Sequence, residues 1–117
     1  MSKIAITLNE KEIDSKSLYK IKQLTMTSLN EIKYKIENNE PIIIGILFYN
    51  DHDDISILLK KIINLFDEIH LSYSIYELDE EATELDKNQK ITKNVLFRIL
   101  DSQDEEIKRQ QDMNSLF

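Results

Sequence analysis

The chain of 117 residues has no cysteine, no tryptophan, one glycine, one proline and two histidines. Without cysteine there is no disulfide framework, no thiolate nucleophile and no zinc ribbon. One glycine cannot build the glycine-rich loop that cradles a phosphate. His52 and His70 are too few to hold a histidine-bound metal pair. Arginine is scarce as well, two against thirteen lysines, which removes most of the planar forks that suit phosphate. No apolar run reaches the roughly 18 residues of a transmembrane helix. The opening MSKIAITLNEKE alternates and then turns charged, unlike a secretory signal with its apolar centre.

What is present fits a folded protein: 41% of residues are apolar and 32% charged. The length suits one domain, expected over 1–100, followed by a charged tail over 101–117 that is helical at best. Isoleucine, lysine and asparagine are frequent, a bias that suits an AT-rich bacterial genome. The net charge of −7 is unevenly spread. Residues 41–86 hold Lys60 and Lys61 against eleven acids, whereas the segments on either side each carry a small positive excess. Nucleic acid would be repelled by such a chain. A basic protein would be attracted and steered. A cytoplasmic protein with no membrane contact and no cofactor is the expectation.

Lys3–Leu8 alternates Ile4, Ile6 and Leu8 with Ala5 and Thr7, the period of a half-buried strand. Asp14 and Ser15 offer caps to a short helix carrying Leu18 and Ile21. Ser28 with Glu31 is a capping box, and Leu29, Ile32 and Ile36 form the stripe of a second helix that Pro41 ends. Ile42–Tyr49 is a continuous β-branched and aromatic run, read as a central strand buried on both faces, with Gly45 marking a bulge or the close approach of a helix. Residues 54–69 carry Ile55, Leu58, Leu59, Ile62, Phe66 and Ile69 at helical spacing. Leu71–Leu78 reads as a third strand, and Ile91–Leu100 as a last amphipathic helix. The expected fold is an α/β (α+β) sandwich ordered β-α-α-β-α-β. Its three-stranded antiparallel sheet is covered by helices on one face, and an extra C-terminal helix follows. The expected core includes Ile6, Leu29, Ile32, Ile44, Ile46, Leu59, Ile62, Phe66 and Ile75.

Two stretches could carry chemistry. NDHDD, residues 50–54, places His52 among Asp51, Asp53 and Asp54 at a strand end, where phosphatases keep paired aspartates and metals find ligands. The further ligands and the phosphate loop that such chemistry needs are missing. A helix start accounts for the same residues: Asp51 caps, and Asp53 and Asp54 in the first turn are each favoured by about 0.3–1 kcal/mol through the helix dipole. ELDEEATELD, residues 77–86, lacks the glycine and ligand spacing of a calcium loop. It reads as a solvated acidic loop or as a partner-facing surface. No nucleophile–histidine pair is visible, so no catalytic residue and no metal ligand is expected.

The order of elements, and LTMTSLNEIKYKIENNEP in particular, resembles the C-terminal domain of the bacterial ribosomal stalk protein over residues 3–78. Thr25, Leu29, Glu31, Lys33 and Pro41 stand at the corresponding places. Ser28 replaces that family's glycine, and its lysine-rich factor-binding surface is not reproduced. Leu47–Phe48–Tyr49–Asn50–Asp51 is similar to the strand end of the related Clp adaptor that receives N-degron substrates. These resemblances imply the fold and, as one functional option, an adaptor or regulator of a protease or of the translation machinery. Small size, acidity and absence of cysteine favour another: an immunity protein that neutralises a basic bacterial toxin, such as a nuclease of a contact-dependent growth inhibition system. Its contact residues would be Asp53, Asp54, Glu77, Asp79, Glu80, Glu81 and Glu84.

Overall fold

The computed structural model describes residues 2–47 and 52–101, with side chains from 3 to 47 and from 54 to 101. The elements run β1 (Ser2–Leu8), α1 (Ser15–Thr25), α2 (Leu29–Glu37), β2 (Ile43–Ile46), α3 (His52–Glu68), β3 (Tyr73–Asp79), a 3-10 turn (Lys87–Gln89), β4 (Lys90–Ile91) and α4 (93–101). The fold is mixed α+β.

The sheet is antiparallel throughout, in the order β2-β1-β3-β4. Among the described residues it has four strands where the sequence suggests three. The fourth is two residues long and lies in the hydrophilic stretch before the last helix, too short for a period-2 pattern to register. β2 is also shorter than the apolar run around it, and it lies at an edge rather than in the centre. The inner strands are β1 and β3, and the residues of β1 from Ile4 to Leu8 are all buried.

Register shows which face each side chain takes. Ile4, Ile6 and Leu8 share a face with Gly45, Ile43, Ile75 and Tyr73, and the helices cover this side. Leu18 and Ile21 from α1, Ile32 and Ile36 from α2, and Leu59, Ile62, Ile63 and Phe66 from α3 complete the core with Leu96 and Leu100 of α4. Leu29 packs against this cluster from a half-buried position. Ile44 and Ile46 do not belong to it. They pair with Ala5 and Lys3 on the opposite face, where Ile44 is 52% exposed. The continuous apolar run conceals which alternate residues face the helices, so parity came from pairing and not from sequence.

Gly45 faces α3 so closely that a Cβ there would stand 2.7 Å from Ile55 Cγ2 and 3.3 Å from Leu59 Cδ1. Close helix approach is therefore the reason for the glycine. The helix ends must do without any other. Met26, Asn39 and His70, all in the left-handed region at φ 58, 55 and 60°, close α1, α2 and α3. After α3 the Leu71 N–H donates to the Phe66 carbonyl at 2.9 Å and the His70 N–H to the Asp67 carbonyl at 3.3 Å, a Schellman ending. Glu40 to Lys35 and Asn39 to Ile36 repeat it after α2.

At the other ends, the Asp14 carboxylate accepts from the Ser17 N–H and the Ser28 hydroxyl from the Glu31 N–H, both at 3.3 Å. That bond from Ser17 holds the Asp14 pKa below the usual carboxylate range. The Glu31 carboxylate stands 3.9 Å from Lys35. Thr92 caps α4 by accepting from the Val95 N–H at 3.2 Å.

Candidate functional site

Most of the acidic residues singled out in the sequence lie towards one end of the sheet. Lys3 lies opposite Ile46, the last residue of β2, and opposite Leu78, near the end of β3. Both strands therefore run out at the edge where β1 begins. There α3 starts, with exposed Asp54 in its first turn and the neighbouring Ile55 over Gly45. Gly45, Ile4 and Glu77 form one row across the sheet, so the strand bearing Glu77 lies two strand spacings, about 10 Å, from the strand that Ile55 covers. Glu77 and Asp79 share the helix-covered face with Ile4, Glu77 half-buried and Asp79 exposed. Half-buried Glu80 and exposed Glu81 continue directly from β3. Asn50 and Asp51 lie outside the described residues, as do the side chains of His52 and Asp53. The helix does begin at His52.

Beyond β3 the chain turns onto the opposite face. The Lys3 ammonium donates to the Ala82 carbonyl, drawing the loop 80–86 across the face of the sheet opposite the helices. An open groove of about 420 Å³ lies there, between Ile44, Ala5 and Leu78 on the sheet, Ala82 and Leu85 on the loop, Lys35 in the last turn of α2 and Glu40 after it. Glu84 lines this groove, on the far side of the sheet from Glu77 and Asp79. Asp54, Glu77, Asp79, Glu80 and Glu81 thus lie towards the end of the sheet where β1 begins, and Glu84 stands apart from them in a groove that reaches Pro41 and Ile43. Asp86 ends the loop by accepting from the Asn88 N–H at 2.9 Å, which starts the short turn into β4.

The other end of the sheet is held by a polar clasp. Asp67 at the end of α3 accepts from Tyr73 Oη at 2.9 Å and from Lys93 Nζ at 3.0 Å, joining α3, β3 and α4. The bond from Lys93, with that from Tyr73, holds the Asp67 pKa below the usual carboxylate range. Burial, reinforced by the adjoining carboxylate, pushes the Tyr73 pKa up to about 12. Tyr73 also packs against Phe66, with ring centroids 5.6 Å apart. Lys60 pairs with Asp101 at 3.0 Å, so α4 lies antiparallel along α3. Asp67 therefore serves the fold, although it belongs to the acidic third of the chain.

Chemically, the acidic end offers carboxylates to cations at several angles. Among the described residues no three His, Asp or Glu side chains are grouped so as to hold a metal ion. The sequence reading missed Lys3, which fixes where the acidic loop lies. Its only sequence signal is a lysine at an odd position of a strand whose even positions are apolar. No family model, no curated protein and no solved structure matches the chain.

Proposed function

We propose that the chain is a non-catalytic acidic binding protein, an immunity protein that occupies the cationic surface of a bacterial toxin in the cytoplasm. What supports this is the placing of Asp54, Glu77, Asp79, Glu80 and Glu81 towards one end of the sheet, a target for a basic partner, with Glu84 in the groove on the other face as a further proposed contact. Asp53 belongs to the same proposed contact through its place in the first turn of α3. A nuclease that binds phosphates carries such a basic surface, and an acidic protein seated on it excludes the nucleic acid.

Attraction at long range makes association fast at low salt. We expect kon for the cognate toxin to fall by roughly ten- to a thousand-fold from low to high ionic strength. Replacing Glu81 and Glu84 by Gln slows association while leaving the melting temperature in place, since exposed acids contribute little to folding. The decisive test is co-expression with the toxin encoded beside it, read as growth rescue. Salt-independent binding, or rescue by a variant with all seven acids neutralised, would overturn the assignment. Capture of peptides by their free α-amino termini would favour the adaptor reading instead.

A further inference from the structure

We propose that Lys3 is a positioning residue, holding the acidic loop 80–86 in one place before any partner arrives. The inference rests on the reading of the acidic residues as the contact for a basic protein. Residues 79–86 hold five acids in eight, with no glycine or proline to set a turn. Like charges at that density repel and spread a chain, so such a loop stays in place only if something ties it down. The register supplies the tie. Lys3 lies opposite Leu78, on the face of the sheet away from the helices. β3 ends at Asp79, and the Ala82 N–H donates to the Asp79 carbonyl at 2.9 Å, closing a turn. The Ala82 carbonyl then accepts from the Lys3 ammonium, four residues past the strand partner of Lys3.

The rest of the loop follows from that bond. Half-buried Ala82 and Leu85 line the groove with Leu78 and Ile44, and Glu81 and Glu84 are left exposed. Asp86 closes the far end through its bond from the Asn88 N–H. A loop held at both ends and in the middle loses little freedom when a partner docks, and that lowers the ordering cost of association. Charge alone makes the opposite forecast for Lys3. A cation among carboxylates weakens the attraction for a basic partner, so its removal would tighten binding. Where Lys3 acts by holding the backbone, its removal loosens binding although the chain becomes more acidic.

Lys3→Met keeps an apolar stem in the strand and removes the ammonium, whereas Lys3→Arg keeps a cationic donor. Hydrogen exchange of the free chain is the first measurement. In Lys3→Met the amides of 82–86 should exchange about ten-fold faster at an unchanged melting temperature, and Lys3→Arg should restore most of the protection. Binding kinetics with the toxin encoded beside the chain is the second. Lys3→Met should leave kon unchanged or faster and raise koff about ten-fold, again with recovery in Lys3→Arg. Unaltered loop exchange in Lys3→Met overturns the proposal, as does a Lys3→Met chain that binds the toxin more tightly. A wild-type chain that ignores the toxin removes the immunity reading, and loop exchange then decides alone whether Lys3 holds the loop.

Discussion

Substituting Gly45 by Ala tests how tightly the sheet and α3 are fitted. In most strands this exchange stabilises a protein by about 0.4–1 kcal/mol, because alanine has less freedom to lose on folding. Here the new methyl would meet Ile55 Cγ2 at 2.7 Å and Leu59 Cδ1 at 3.3 Å. Cγ2 sits directly on a β-branched carbon whose χ1 is stiff in a helix, so Ile55 cannot swing its branch aside cheaply. Either α3 lifts from the sheet or Ile55 leaves its rotamer, and overpacking of this kind costs about 1–3 kcal/mol. The entropic gain offsets part of it, leaving a net loss of roughly 1–2 kcal/mol. Urea unfolding monitored by tyrosine fluorescence should show a lower midpoint with an unchanged slope. Ile55→Ala removes the obstructing carbon, so the double variant should be more stable than the sum of the single effects by about 1 kcal/mol. A stabilising Gly45→Ala, or strict additivity with Ile55→Ala, would refute the close-approach explanation.

Other expectations follow from the same structure. His70→Gly should stabilise by up to about 1 kcal/mol in thermal unfolding, because a Cβ at φ 60° is strained and the Schellman bonds are backbone bonds. Ile62→Ala should cost about 2–5 kcal/mol, whereas Ile44→Ala, on the open face, should cost less than half as much. The raised Tyr73 pKa makes stability fully present below the ordinary tyrosine value near 10. Stability then falls as pH rises towards 12, because the unfolded chain ionises first. The depressed Asp67 pKa acts at the acid end, with stability present above the ordinary aspartate value and lost as pH falls through the folded one. Asp67→Asn should flatten the acid limb, measured as melting temperature against pH.

Helices and the long strands were readable because each has its own period or cap. Asp14, Ser28 and the αL residues before Pro41 and after Phe66 are local signals with local causes. Parity in β2 was not readable, since Ile42–Tyr49 has no polar residue to mark a face. Ile44 and Ile46 were assigned to the core for that reason. β4 escaped notice because two residues carry no pattern. The acidic end was visible as an imbalance in residues 41–86, but its shape was not. Only the pairing of Lys3 with both Ile46 and Leu78 brings the start of α3 and the end of β3 to one edge of the sheet.

That β1 lies between β2 and β3 has a consequence for how the chain is made. During synthesis β1 leaves the ribosome before either of its neighbours, and β3, paired with it along seven residues, comes last of the three. At about 5–20 residues per second, the stretch between the ends of β2 and β3 takes several seconds to emerge. For that interval Ile4, Ile6 and Leu8 have at most the short β2 beside them, and the main pairing must close a loop of more than half the chain. A nascent chain of this topology is most exposed to misassociation through β1, and a chaperone that holds apolar extended segments has its natural target there.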